Sequence, residues 1–164
     1  MCSGVDTDEL WTARSLVDNK EAVVRVTRDW VAAGARIVLT ASYQVSAELF
    51  AEQLGLTRQQ TWEHVVDSVS LAVRAVREEG GVVGHTLIGG SVGPYGACLH
   101  DGSEYSGHYL QGDNAVTHQR LVEWHRDRIQ ALQVLSQSTL QQCSRYCLGG
   151  GCQFSCSGNH THEL

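Results

Sequence analysis

An alternation of amphipathic helical stretches with short, β-branched apolar runs most limits what this chain can fold into. The segment DNKEAVVRVTRDWVAAGA opens with Asp18 and has Glu21 three residues on, the spacing of a capping box. It sets Val23, Val26, Trp30 and Val31 on one helical face before Gly34 ends it. RIVLTA follows directly, bounded by Gly34 and the polar Ser42-Tyr43-Gln44, and reads as a strand buried on both faces. SAELFAEQLG is a short helix stopped by Gly55. A longer helix starts at Thr57, where Gln60 completes a capping box, and carries Trp62, Val65, Val66, Val69, Val73 and Val76 at helical spacing up to Gly80-Gly81. TLIGGSV is a second apolar run, and THQRLVEWHRDRIQALQVL a further amphipathic helix through Leu121, Trp124, Ile129 and Leu132. Trp30, Trp62 and Trp124 all fall on apolar stripes and are expected in the core.

Helix, strand, helix, strand, helix is the pattern of βαβ units, so the expected class is α/β with a parallel sheet. In such folds ligands collect at the loops that follow the carboxyl ends of the strands. Both unusual polar segments, Ser42 to Gln44 and Ser91 to Tyr109, lie there. The second belongs to GGSVGPYGACLHDGSEYSGHY, which holds the chain's single proline and three of its five tyrosines among six glycines, two histidines and two carboxylates. That mixture is a poor connector and a plausible rim for a ligand.

A length of 164 residues with 42% hydrophobic content suits one domain with its own core. A formal charge of -6, with no cluster of Lys or Arg, argues against a nucleic-acid footprint or a membrane-surface patch and leaves a small molecule or a protein as partner. The start, MCSGVDTDELWTARS, is acidic and has neither a signal-peptide core nor a transit-peptide pattern, and no apolar run approaches the ~18 residues of a membrane span, so a cytoplasmic chain is expected. Of six cysteines, four crowd into the last 22 residues, which is not a secreted disulfide framework.

The segments LWTARSLVDN, AGARIVLTASYQVS, GGSVGPYGACLHDGSEYSGHY and LVEWHRDRIQAL follow one another as they do in the homocysteine S-methyltransferase family, and the chain resembles most closely the members that use S-methylmethionine. The resemblance runs from about Leu10 to Leu132. It implies a (β/α)8 barrel in which homocysteine, bound through its sulfur to zinc, takes a methyl group from a sulfonium or ammonium donor. Zinc deprotonates a thiol that is otherwise mostly protonated at neutral pH, and aromatic faces and carboxylates receive a cationic donor. On this resemblance Ser42, Tyr43 and Gln44 close the second barrel strand, Ser91, Gly93 and Tyr95 line the top of the third, and Glu104 and Tyr105 lie in the covering loop, all as substrate-binding residues. Glycines 90, 93 and 96 are expected to let the backbone turn and approach ligand, with Pro94 stiffening the bend.

The family's first strand, with its Asp-Gly-Gly signature, and its later zinc-binding cysteines have no counterpart in these 164 residues. The resemblance therefore implies a partial barrel, roughly the second and third βα units over residues 1–132, with zinc implied by the family but no metal ligand assigned. An irregular Cys/Gly/Ser-rich tail is expected over 133–164. His85, His100, His108 and His125 have no metal-binding spacing and are expected to be structural or solvated, and Cys98 is expected to fill a small apolar site. In the tail, Cys143, Cys147, Cys152, Cys156, His160 and His162 carry zinc-type donors at spacings unlike the usual C-x2-C arrangements. Two alternatives stand beside the methyltransferase reading: a non-enzymatic fragment that docks on a protein through unclosed sheet edges, and a small zinc-binding protein built on the tail.

Overall fold

The computed structural model describes residues 10–80, 85–113, 115–138 and 146–149, of which Trp11, 134–138 and the last four are described through their backbone alone. Among the described residues six α-helices, α1 (Ser15–Asp18), α2 (Lys20–Ala32), α3 (Ala47–Leu54), α4 (Arg58–Glu78), α5 (Ser103–Ser106) and α6 (His118–Ser138), accompany strands β1 (Ile37–Leu39), β2 (Leu87–Ser91) and β3 (Tyr146–Gly149). The sheet is all parallel in the order β1-β2-β3, with Val38 opposite Ile88 and Gly89 opposite Cys147. The mixed, parallel class expected from the alternation is what the chain forms. The boundary drawn after Leu132 falls within α6, which continues to Ser138, and β3 lies inside the segment expected to be irregular.

Local chemistry sets most helix ends. Thr57 accepts from the Gln60 amide while the Gln60 side chain accepts from the Thr57 amide, so the capping box at α4 forms as its spacing predicts. Ser46 caps α3, and Gly55 closes it in the left-handed conformation (φ 67°). At α2 the sequence misleads. Asp18 ends the preceding short helix, and Asn19, whose backbone is non-helical (φ -149°, ψ 62°), accepts from the Ala22 amide and caps α2 instead. Glu21 is thereby free to pair with Arg74 across to α4.

The core has two parts. Leu10, Leu16, Val24, Val45, Phe50, Val65 and Val69 join the chain's start to α2, α3 and α4, and Val38, Ala72, Val73, Val76 and Ile88 seat α4 on the sheet. Two expectations about burial need correction. Val24 and Thr27, rather than Val26 and Trp30, form the buried stripe of α2, because α2 packs on α4 along that side; Trp30 is 63% exposed. β1 is buried on one face only: Val38 points to α4, whereas Ile37 and Leu39 are more than half exposed, because no described element covers that side. Ile37, Leu39, Val26 and Trp30 line an apolar groove of about 510 Å³ along the open edge of β1. Trp62 is half-buried and Trp124 buried, as their stripes predict.

Candidate functional site

The carboxyl ends of β1 and β2 are tied together by hydroxyls. Thr40 Oγ1 accepts from the Ser91 amide at 2.9 Å and lies 2.7 Å from Ser42 Oγ, which donates to the Ser91 carbonyl at 2.8 Å. Ser42 and Ser91 are both buried, and the Ser42 hydroxyl is committed to this clasp. The segments that leave the two strands then run side by side, with the Gly93 amide donating to the Tyr43 carbonyl at 3.1 Å.

Glycine at 93 and 96 is required by space, not by positive φ. A Cβ on Gly93 would stand 2.5 Å from the Tyr43 carbonyl oxygen, and one on Gly96 would stand 2.6 Å from the Glu104 nitrogen and 2.7 Å from the Tyr109 ring. These glycines therefore let loop approach loop, where the sequence pointed to backbone turning toward ligand. Pro94 is extended (φ -69°, ψ 160°) and leads into a 3-10 turn over Tyr95–Cys98.

Aromatic rings fill the space above. Tyr95 lies 5.4 Å from Tyr109 and meets Trp124 edge-on at 5.2 Å. Tyr43 is exposed at the mouth, and Gln44 accepts from the Thr12 hydroxyl. Glu104 is half-buried; its Oε2 is shut off from solvent and accepts no hydrogen bond among the described residues. Tyr105, by contrast, is 90% exposed. Of the residues singled out from sequence, Ser42, Tyr43, Gln44, Ser91, Gly93, Tyr95 and Glu104 are thus brought to one end of the sheet, and Tyr105 projects away into solvent.

The residue that sequence reasoning missed is Arg128. It is 2% exposed, the largest fully buried side chain among the described residues, with its guanidinium 4.2 Å over the Trp124 ring. It donates to the carbonyls of Gly93 (3.0 Å) and Tyr43 (2.7 Å), with Ser42 O at 3.5 Å. Burial lowers its pKa from the ordinary guanidinium value, and the same burial, with the charge of Arg128, lowers that of His125. One turn and two turns earlier on α6, Trp124 and Arg120 complete a stripe at four-residue spacing, and Arg120 pairs with Glu48 on α3 at 2.9 Å. Burial alone would raise Glu48, but its own amide, the Ser46 hydroxyl, Arg120 and Trp124 together hold it below the usual carboxylate range.

Cys98 sits beneath these loops, its Sγ 3.8 Å from the Gln44 carbonyl, in the small buried site that its sequence context predicts. Burial pushes its thiol up to about 11; the charge of Arg128 opposes the rise, and Glu48 and Glu104 add to it. Among the described residues no three His, Cys, Asp or Glu side chains gather as a metal site. Cys98, the one thiol described, has no further described ligands gathered beside it, so this donor set does not fit a zinc ion. Of the tail donors, Cys147 is described through its backbone alone, and Cys143, Cys152, Cys156, His160 and His162 lie outside the described residues.

A family model described as homocysteine S-methyltransferase matches residues 3–142. The chain belongs to that family. A betaine-homocysteine S-methyltransferase of Drosophila melanogaster is 42% identical over 132 residues, 77% of this chain and 39% of the relative. A homocysteine S-methyltransferase of Escherichia coli is 42% identical over 129 residues, 76% and 39% of the two chains. The solved homocysteine methyltransferase MmuM of Escherichia coli, in its metallated form, superposes with a TM-score of 0.64 at 34% identity, over 87% of this chain and 46% of that one. The chain thus spans about two-fifths of the length of the curated relatives it matches. Among the described residues no helix is long and apolar enough to cross a membrane.

Proposed function

We propose that this chain forms the second and third βα units of a (β/α)8 barrel and that its strand-end loops are the methyl-donor side of a homocysteine S-methyltransferase site. The parallel order β1-β2-β3, with helices between the strands, supports the first part. The observation that carries the second is the Glu104 carboxylate, whose buried Oε2 has no described donor, on a residue whose backbone packs on Gly96 next to the Tyr109 ring, itself 5.4 Å from Tyr95. An acceptor-only oxygen shut off from water needs a cation or an N–H partner, and tyrosine faces favour a sulfonium or a quaternary ammonium.

The reaction read onto this site is displacement at a methyl carbon. The homocysteine sulfur, having lost its proton to solvent, forms the new S–CH3 bond. The donor's C–S bond breaks with its electron pair passing to the departing sulfur, and the donor's positive charge is thereby discharged. With S-methylmethionine as donor both products are methionine. Tyr43, Gln44 and Tyr95 border the cationic methyl group, and Glu104 holds its charge or the ammonium of an amino-acid substrate. Zinc, which the family resemblance implies, has no fitting donor set in the described residues, and no step is assigned to it. A cytoplasmic setting, which cysteines clustered rather than spread as a disulfide framework support, belongs to the same proposal.

The purified 164-residue chain is expected to bind S-methylmethionine by isothermal titration, to lose at least tenfold affinity in Glu104→Gln, and to form no methionine from homocysteine on its own. Equal binding by wild type and Glu104→Gln refutes the role of the carboxylate. The exposed Ile37, Leu39 and Trp30 along the open edge of β1 favour a second reading, a protein partner added to that edge.

A further inference from the structure

We infer that Arg128 is the positioning residue of the rim: its planar fork sets the spacing between the β1 and β2 loops, and so the width of the site proposed above, on whose reading this role rests. Three observations converge. The guanidinium is buried, yet among the described residues no carboxylate pairs with it; its hydrogen bonds there end on peptide carbonyls. Those carbonyls belong to two different strand-end segments, Ser42-Tyr43 and Gly93, 85 and 35 residues away in sequence from the arginine that joins them. Gly93 and Tyr43 already meet through the Gly93 amide, so one nitrogen of the fork on each carbonyl closes a ring around that contact.

A buried cation whose needs are met by main-chain dipoles is costly to desolvate, and its retention is justified where a geometry must be held. Trp124 fixes the plane of the fork from below at 4.2 Å and in turn meets Tyr95 edge-on at 5.2 Å. The same stack that aims the arginine therefore sets the tilt of the ring that would face a donor. It also leaves the Trp124 face occupied by a cation, so a cationic ligand must use Tyr43, Tyr95 or Tyr109. Lysine cannot replace this arrangement: an ammonium reaches one carbonyl well, not two in a fixed plane.

The test compares Arg128→Lys with Arg128→Gln and wild type by amide hydrogen exchange on the full chain. The rim reporters are the amides of Val45, Ser91, Gly93, Ala97 and Leu99, each hydrogen-bonded within or between the two loops. The internal reference is the middle of α4, residues 65–76. Arg128→Lys is expected to speed exchange at the rim at least about tenfold, the effect of losing ~1.4 kcal/mol of local opening free energy, while the α4 amides stay as protected as in wild type. Millimolar methylguanidine added to Arg128→Gln should restore part of the rim protection.

Equal acceleration in α4 and the rim would make Arg128 a general fold support, and no acceleration anywhere would show that its bonds hold nothing. Either overturns the inference. Should Arg128→Gln fail to fold, as judged by circular dichroism, Arg128→Lys alone carries the comparison. Exchange needs no ligand, so a wild-type chain that binds no S-methylmethionine defeats the reading of the site while the positioning role is still decided.

Discussion

Replacing Gly93 with alanine puts the geometry of the rim under a defined load. The added Cβ would lie 2.5 Å from the Tyr43 carbonyl oxygen and 3.1 Å from two atoms of its ring, against about 3.3 Å for an ordinary carbon–oxygen approach. The segments must part by roughly 0.8 Å at a point where they are joined by the Gly93 amide and by the fork of Arg128. Loss of the neutral bond costs about 1 kcal/mol, and weakening of a charge-assisted one about 1–3 kcal/mol more. The φ at Gly93 is not positive, so alanine adds no backbone strain and the whole effect is steric. The expected destabilisation is about 2–4 kcal/mol, which for a domain of this size lowers Tm by roughly 5–15 °C. Urea denaturation followed by far-UV circular dichroism should show the midpoint falling at constant m. A variant within about 0.5 kcal/mol of wild type, the range of a neutral surface change, would refute the close approach of the two loops.

Two further outcomes follow from burial. The folded pKa of Cys98, about 11, lies above that of an unfolded thiol, so folded chains hold a proton that unfolded ones release. The associated stability is complete below about pH 8.5 and is lost as pH rises toward 11, by up to about 2–3 kcal/mol. Chemical denaturation across pH 8 to 11 should show this decline in wild type and a flatter one in Cys98→Ala, with parallel declines counting against the assignment. Trp124→Ala, which empties a buried site touching Tyr95 and Arg128, should cost about 3–5 kcal/mol, while Trp30→Ala, at a residue 63% exposed, should cost less than about 1 kcal/mol; equal losses in urea titrations would contradict the burial pattern.

What the sequence made legible is the chemistry of local elements. Thr57 with Gln60, Gly55 at the end of SAELFAEQLG, and the valine stripe of α4 each announce a helix end or a face through contacts within a few residues. Asn19 was hidden by Asp18 beside it, since either side chain can cap and only the backbone turn decides between them. The IVL run of β1 looks buried on both faces because the apolar residues are consecutive, yet burial of Ile37 and Leu39 depends on whatever lies across the sheet, which no local pattern encodes. Arg128 is the deeper case. Its place four residues after Trp124 sets it on the buried side of α6 where Arg126 is exposed, but the role of its charge was hidden, because its environment is made by carbonyls contributed from two remote loops. The rim residues were found because polar and aromatic side chains cluster in the chain itself, and the exposure of Tyr105 was not, because side-chain direction in a short helix is set by the packing of Gly96 against Glu104.

The acceptors chosen by Arg128 have one more consequence. A carboxylate partner would be discharged by acid and screened by salt, as the Arg120 pair with Glu48 on the neighbouring turns of α6 must be. Peptide carbonyls do not titrate in the range where proteins stay folded, and a buried contact with them is little affected by ions in solution. Acidification should therefore loosen the outer end of this helix stripe, while the bonds from Arg128 to the Tyr43 and Gly93 carbonyls, whose acceptors take up no proton there, keep the two loops joined.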